Sequence, residues 1–225
     1  MEHYDRLLLS RSTVVGLLVA LAGPPALVTV SRRIFGDTPT IGVQAFLQLV
    51  FCGLAVVVVL VVLRGERMPL RSIGVRRPDS STIVTALMIT AAGCLLGLLT
   101  APLVTAVGAE GAAGGVATLA MWPAWFRLFV GTTSGIVEET LYRGYAVERL
   151  AALTGRVWVG ALIAVIAFGL AHIPFWGVGF SLVADLPYGV LLVLFYLWRR
   201  DLFANILAHS GGLIVSLFTT VPWAV

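Results

Sequence analysis

The stretch from Ile41 to Leu63 reads IGVQAFLQLVFCGLAVVVVLVVL and contains no charged residue. A helix needs about 20 apolar residues to cross the hydrocarbon core of a bilayer, so this stretch is long enough for one crossing. Six further apolar stretches are bounded by charges or by Gly and Pro, and the seven together cover residues 12–31, 41–63, 82–107, 124–146, 157–174, 178–198 and 202–221. We therefore predict an all-α, polytopic bundle of about seven or eight transmembrane helices.

The composition excludes an ordinary soluble protein. Of the 225 residues 59% are hydrophobic and only 12% are charged, and the mean hydropathy is +1.00. Seven crossings with short loops leave no room for a soluble domain, so residues 1–225 are predicted to form a single integral-membrane domain. The formal net charge of +4 comes from arginine, because the sequence contains no lysine. No arginine run is interleaved with aromatic residues, which argues against a nucleic-acid partner.

The arginines predict the orientation of the chain. They are concentrated in three even-numbered loops, at Arg64, Arg67, Arg71, Arg76 and Arg77, at Arg149 and Arg156, and at Arg199 and Arg200. Arg32, Arg33 and Arg127 are the arginines on the opposite side. Since arginine-rich loops stay in the cytoplasm, the N-terminus is predicted to be cytoplasmic. An additional interfacial helix in residues 108–122 would change the number of crossings but not this polarity.

Two adjacent carboxylates interrupt the fourth apolar stretch, in the segment Gly135-Ile-Val-Glu138-Glu139-Thr-Leu-Tyr142-Arg143-Gly144. Ionisable groups at membrane depth are costly and therefore point to function. Residues four apart share a helix face, which pairs Glu139 with Arg143. That pairing leaves Glu138 to act as a general base or a metal ligand. The alternative is a structural Glu–Arg pair with a spectator glutamate.

Two histidines lie in later apolar stretches. His172 ends the fifth stretch, where Pro174 is predicted to terminate the helix, and His209 follows Asn205 by one helical turn in the seventh. A lone histidine at a helix end is also typical of an interfacial anchor, and a His/Asn pair can be purely structural. Asp185, near Pro187 in the sixth stretch, belongs either to the cavity or to a helix break, and we favour the helix break.

These residue types favour hydrolysis by an activated water. Glu138, His172 and His209 form a ligand set typical of zinc, which lowers the pKa of a bound water to about 7. Without a metal, Glu138 would act as the base, while both histidines and Asn205 would hold the water and stabilise the oxyanion. The residue types leave both mechanisms open. Nucleophilic catalysis is disfavoured, because no serine lies in a Ser-His-Asp context and no cysteine lies near these segments.

Three motifs in order carry a resemblance: Glu138-Glu139-x-x-x-Arg143, Phe168-x-x-x-His172, and a histidine in the last helix. They resemble the CAAX protease and bacteriocin-processing (Abi) family of intramembrane endopeptidases, over about residues 123–213. The resemblance implies a bundle with a membrane-embedded catalytic cavity that cleaves peptides near a lipid-exposed or prenylated C-terminus. By motif match, Glu138 would activate the water, His172 and His209 would assist it, and Glu139 and Arg143 would support them.

One departure from the family pattern keeps a second function open. The last motif of the family usually carries Asn or Asp four residues after its histidine, where this chain has Leu213. Asn205 or Ser210 would then have to supply the polar group. If neither does, the chain would be a catalytically silent relative that binds or shields a membrane partner. A coupled transporter is disfavoured, because no internal repeat with interrupted helices is visible.

The expected partners are the lipid bilayer and a membrane-associated or lipidated, CAAX-like peptide or protein. The expected location is the plasma membrane of a prokaryote. One difficulty concerns depth, since Glu138 and His209 come out about 12 Å from the cytoplasmic ends of their predicted stretches and His172 nearly twice as far. Straight, parallel helices with those boundaries would not bring the three side chains together.

Overall fold

The computed structural model describes residues 10–36, 40–109, 119 and 121–219. Within these ranges the regular elements are helices and no strand occurs, which confirms the predicted all-α class. The main helices are α1 (Arg11–Phe35), α2 (Ile41–Leu60), α3 (Ser80–Ala106), α4 (Ala124–Glu138), α5 (Val157–Phe180), α6 (Leu186–Arg199) and α7 (Leu202–Thr219). The additional helix considered for residues 108–122 falls mostly outside the described residues.

Three helices continue past their α-helical bounds through wider π-helical turns. After α2 this stretch is Val61–Gly65. The chain after α4 is π-helical over Glu139–Val147 and α-helical again over Glu148–Thr154. A shorter π-helical stretch, Ser181–Asp185, joins α5 to α6. Such turns occur frequently at functional sites.

By length and composition, five helices in the described part of the chain could cross a membrane. They are Arg11–Phe35, Ile41–Gly65, Ser80–Ala106, Val157–Arg199 and Leu202–Thr219. The fourth of these contains two of the predicted stretches, because α5 and α6 follow each other without a loop. α4, which ends at Glu138, is not among the five. The π-helical stretch with Glu139 and Arg143 follows it directly.

The arginine-rich loops meet at one end of the bundle, which we call the basic end. The backbone N–H of Leu202 donates to the carbonyl of Gly74 at 2.9 Å, and Arg76 Nη1 donates to the carbonyl of Arg199 at 3.1 Å. Arg149 Nη1 reaches the carbonyl of Ser72 at 3.1 Å. The loops predicted to share one side therefore do lie together. We call the opposite end of the bundle the far end.

Close packing of α4 against α7 depends on two glycines. A Cβ at Gly131 would lie 2.7 Å from Ile214, and a Cβ at Gly135 would overlap Ser210. Glycine at these positions lets the two backbones approach closely, as small residues do in membrane bundles. The approach brings His209 of α7 beside the two glutamates of α4.

The depth difficulty disappears because one predicted boundary was wrong and because the start of α7 lies inside the bundle. The fourth helix runs to Thr154 rather than to residue 146, so Glu138 lies sixteen residues from its end, about 24 Å. His172 lies fifteen residues after Val157, about 22 Å, on the other side of a tight turn. α7 begins inside the bundle, where Leu202 contacts Gly144.

The prediction that Pro174 ends the fifth helix was wrong. Helix α5 includes Pro174 and continues to Phe180, and its non-helical backbone lies at Gly177, with φ 75° and ψ 167°. A positive φ is readily adopted only by glycine, so the change of direction falls there and not at the proline. His172 is therefore held within α5 instead of at its end.

Candidate active site

A cavity of about 740 Å³ lies inside the bundle. Glu138, His172 and His209 all line it, although they come from three different helices. The structure therefore brings together the three residues for which the sequence predicted a common site.

Glu138 presents a free carboxylate oxygen to the two histidines. Its Oε2 atom is buried and has no hydrogen-bond partner among the described residues. The Nε2 atom of His172 lies 3.7 Å from this oxygen, and that of His209 lies 3.8 Å from it. Both separations are too long for a direct hydrogen bond, but one water molecule between the three atoms would bridge them.

The other nitrogen of each imidazole fixes the protonation pattern. His209 Nδ1 lies 2.8 Å from Glu139 Oε1, and His172 Nδ1 lies 2.8 Å from the carbonyl oxygen of Phe168. Carboxylate and carbonyl oxygens accept hydrogen bonds, so we assign the hydrogen of each ring to Nδ1. In the neutral rings both Nε2 atoms then carry lone pairs. Three acceptor atoms thus converge on one point of the cavity.

Glu139 fixes this arrangement through hydrogen bonds to the neighbouring side chains. Its fully buried carboxylate accepts hydrogen bonds from Arg143 Nη1 at 3.0 Å, from His209 Nδ1 at 2.8 Å and from Asn205 Nδ2 at 3.2 Å. Arg143 also donates to the carbonyl of Gly189 at 3.0 Å. The predicted pairing of Glu139 with Arg143 is therefore present, and it orients the ring of His209.

Asn205 lies away from the cavity surface. It is fully buried behind Glu139, and its Nδ2 atom also donates to the carbonyl of Leu192 at 2.8 Å. The sequence analysis expected it to hold the water, but the geometry supports a role in fixing Glu139.

Three polar residues of the cavity wall were not included in the predicted site. Tyr142 and Tyr188 have buried hydroxyl oxygens, and Asp185 a buried carboxylate oxygen, without a hydrogen-bond partner in the described part of the chain. Asp185 does lie in the π-helical join, as a helix break would require, but it also faces the cavity. Its charge within an apolar stretch was the available signal. Tyr142 lies one helical turn after Glu138 and so shares its face, whereas nothing in the sequence distinguishes Tyr188.

Leu213 lines the cavity at the position where the family pattern has a polar residue. Ser210 is not a substitute, because its hydroxyl donates to the carbonyl of Thr132 at 3.3 Å. The hydroxyl oxygen of Tyr188 is closer to the position of Leu213, since a Cβ built on the neighbouring Gly212 would lie 2.8 Å from this oxygen.

The donor chemistry of this site suits zinc. It offers one carboxylate and two imidazoles, and each imidazole is oriented by a second hydrogen bond, as in known zinc sites. Ligands held about 2.0–2.2 Å from a tetrahedral zinc ion lie about 3.4 Å apart, slightly less than the separations found here. No group of three His, Cys, Asp or Glu side chains in the described ranges is arranged to hold a metal as it stands.

Comparison with known proteins gives one match. Residues 120–212 match the model of a family described as type II CAAX prenyl endopeptidase Rce1-like. The match covers less than half of the chain, includes all three motifs and confirms the resemblance predicted from them. Searches of curated proteins and of solved structures found no match. The family match and the apolar helices together indicate an integral membrane protein.

Proposed function

We propose that this protein is an intramembrane endopeptidase in which Glu138 activates a water molecule for the hydrolysis of a peptide bond. The observation that carries the proposal is the free Oε2 atom of Glu138, which faces the Nε2 atoms of His172 and His209 inside a mostly apolar cavity. A buried carboxylate without a partner is costly, and a reaction is a reason to keep it.

The first step is the attack of water on the substrate. A water between Glu138 and the two imidazoles gives one proton to the Glu138 carboxylate, while its oxygen attacks the carbonyl carbon of the scissile peptide bond. Glu139 and Arg143 hold His209 so that its Nε2 atom keeps facing this water. The result is a tetrahedral intermediate with a negatively charged oxygen.

The second step is the release of the amine. The hydroxyl groups of Tyr142 and Tyr188 are hydrogen-bond donors at the cavity wall that have no other partner there. They are suited to stabilise the oxyanion. The proton held by Glu138 then passes to the leaving nitrogen as the C–N bond breaks, which returns the carboxylate to its starting state.

Zinc is the cofactor that this donor set would hold, through Glu138, His172 and His209. When bound, it would supply a Lewis acid that lowers the pKa of the water. Glu139 and the carbonyl of Phe168 would then serve to orient the two imidazoles, the same task that they have without a metal.

The substrate we propose is a membrane-associated peptide or protein, with a lipidated, CAAX-like C-terminus as the class that the family match favours. Leu213 in the cavity wall favours a second candidate, a silent relative that binds such a partner without cleaving it. The two candidates differ in whether any peptide is hydrolysed.

The test is peptide cleavage by the purified protein in detergent, followed by mass spectrometry on a panel of prenylated and unprenylated peptides. Glu138→Gln should reduce cleavage by about 10²- to 10⁴-fold, the usual contribution of a general base, and leave the protein folded. Glu148→Gln, on the same helix but paired with Tyr196 and Arg200 outside the cavity, is the matched control and should retain activity. Bound zinc is measured in all three proteins.

Cleavage by the Glu138→Gln variant at the wild-type rate would disprove the role of this carboxylate. Absence of cleavage by the wild-type protein over the whole panel would favour the silent relative.

A further inference from the structure

The cavity extends from the catalytic residues in one direction only. On α4 and the π-helical stretch that follows it, the lining residues extend from Phe126 to Tyr142. On α7 they extend from His209 to Thr219. The same holds for α5, where the lining begins at Phe168 and reaches Phe180. Because these helices alternate in direction, all three sets lie between the site and the far end of the bundle.

The rim of the cavity lies at the far end. It includes the last turn of α1, with Ser31 and Arg32, and Trp122 just before α4. Arg32 and Thr219 are exposed, as is half of the Phe175 side chain. The cavity therefore reaches the surface of the bundle on this side.

A packed layer separates the site from the basic end. It consists of residues that are at most 2% exposed, namely Leu141, Arg143, Tyr145, Leu202 and Asn205. None of them lines the cavity. Arg143, Tyr145 and the Nδ2 atom of Asn205 donate to Glu139, Glu66 and backbone carbonyls, so hydrogen bonds connect the layer to its surroundings.

The arginines distinguish the two ends. In the described residues the basic end carries ten, Arg11, Arg64, Arg67, Arg71, Arg76, Arg77, Arg149, Arg156, Arg199 and Arg200, against Arg32, Arg33 and Arg127 at the far end. Arginines in short loops beside membrane helices are retained in the cytoplasm. The basic end is therefore expected to face the cytoplasm.

We infer that the active-site cavity is entered from the non-cytoplasmic side of the membrane. This inference rests on the proposed function and narrows its substrate to membrane-associated peptides whose scissile bond is reached from outside the cytoplasm. Of the substrates proposed above, this direction of entry excludes prenylated C-termini that are presented at the cytoplasmic surface and retains membrane-associated peptides that are presented outside.

The dimensions of the cavity limit how such a peptide can bind. Glu138 lies fourteen residues from the start of α4, which is about 21 Å of helix. An extended chain spans about 3.3 Å per residue, so about six residues would lie between the rim and the scissile bond. The walls are mostly apolar side chains, including Leu47, Phe51 and Phe126, which favours an apolar segment in those positions.

Accessibility to a small, charged, membrane-impermeant methanethiosulfonate reagent tests the direction of entry. In a chain with Cys52→Ala and Cys94→Ala, the variant Ser216→Cys places a thiol in the cavity wall between the site and the far end. Ser80→Cys, at the exposed start of α3, reports on the basic end. Labelling is compared between right-side-out and inverted membrane vesicles.

The expected result is that the thiol at position 216 reacts at least tenfold faster in right-side-out vesicles and the thiol at position 80 at least tenfold faster in inverted ones. Labelling of position 216 from the cytoplasmic side, from both sides at equal rates, or from neither side overturns the inference. So does labelling of position 80 from the outside.

Labelling does not depend on catalysis, which keeps this inference separable from the proposed function. If the detergent-solubilised protein cleaves peptides but position 216 is labelled from the cytoplasm, the direction of entry is wrong and the endopeptidase stands. If labelling is as expected but no peptide is cleaved, the proposed function falls and the geometry of entry stands.

Discussion

In the part of the chain that the structure describes, two buried glutamate–arginine pairs involve the same helix, and they differ in how completely their polar atoms are bonded. Glu139 and Arg143 lie beside the cavity, and Glu66 and Arg149 lie at the basic end. Both acids have side chains with no exposed surface. Burying each pair costs free energy, so the hydrogen bonds around the pair indicate whether it serves stability or activity.

At the basic end both carboxylate oxygens of Glu66 have partners. Glu66 Oε1 accepts from Thr13 at 3.0 Å and from Tyr145 at 2.8 Å, and Oε2 accepts from Arg149 Nε at 2.9 Å. The remaining nitrogens of Arg149 donate to the backbone and hydroxyl oxygens of Ser72. This network ties α1, the loop after α2 and the end of the α4 segment together.

Around the cavity pair, by contrast, several polar atoms have no partner in the described residues. They include Glu138 Oε2 and the hydroxyls of Tyr142 and Tyr188. Saturated buried charges stabilise a structure, whereas unsaturated ones are available to a substrate. This difference predicts that variants of the Glu66–Arg149 pair lose stability alone, whereas variants of the Glu139–Arg143 pair lose both stability and activity.

The largest effect on stability is expected from Arg149→Met. It leaves Glu66 buried without its cation, which should lower the free energy of unfolding by about 3–5 kcal/mol. Thermal unfolding in detergent measures the loss, and cleavage per folded molecule should stay at the wild-type level. Arg143→Met is the matched comparison and should lose stability and cleavage together, because Glu139 then no longer orients His209. Equal loss of specific activity in both variants would remove the distinction between the pairs.

An intermediate effect is expected from Asn205→Ala. Loss of the amide removes one hydrogen bond from Glu139 and one from the carbonyl of Leu192, which should cost about 1–3 kcal/mol of stability. Cleavage should fall about 10- to 100-fold, as it does when the residues supporting a catalytic histidine are changed. The separation of kcat from KM is the informative measurement, since a positioning residue should change mainly kcat. An unchanged kcat would show that Glu139 is held without Asn205.

Asp185→Asn tests a single cavity residue. Because one oxygen of Asp185 is buried without a partner, replacing the charged group with an amide should leave the melting temperature unchanged or slightly higher. A change in cleavage without a loss of stability would assign Asp185 to substrate binding or positioning. A marked loss of stability would show that its charge supports the join between α5 and α6.

The smallest effect is expected from Tyr145→Phe. The variant removes one hydroxyl donor to Glu66 and should reduce stability by about 0.5–1.5 kcal/mol. Cleavage should not change, since Tyr145 does not line the cavity. A loss of activity larger than the loss of folded protein would show that the two pairs are coupled along the helix.

Local spacing in the sequence was sufficient to predict the centre of the site. Glu139 and Arg143 are four residues apart on a helix, so their pairing follows from helical geometry. The three residues Glu138, His172 and His209 were expected together because charges and histidines are rare in apolar stretches. Their separations and protonation pattern depend on the packing of three helices and could not be predicted.

The features that the sequence did not reveal depend on contacts between distant segments. Glu66 lies in an arginine-rich loop and was not singled out from the sequence, yet it is buried through contacts with α1 and the end of the α4 segment. The continuation of the fourth helix to Thr154 was missed because its last turns carry charges that are buried by neighbouring loops. Gly177 was not expected to replace Pro174 as the break, since that choice depends on how α6 packs back on α5.

The π-helical stretch Glu139–Val147 sets the rotation of the cavity half of the helix relative to its basic half. A π-turn accommodates one more residue than an α-turn, so it acts as a fixed insertion between the cavity half of the helix and its basic half. Removing one residue there would restore regular α-helical winding and rotate one half against the other by about 100°. Either Glu138 would then leave the cavity or Arg149 would leave Glu66. The length of this segment therefore restricts evolution more strongly than the identity of most of its residues, because a change in length would require both ends of the protein to adapt at once.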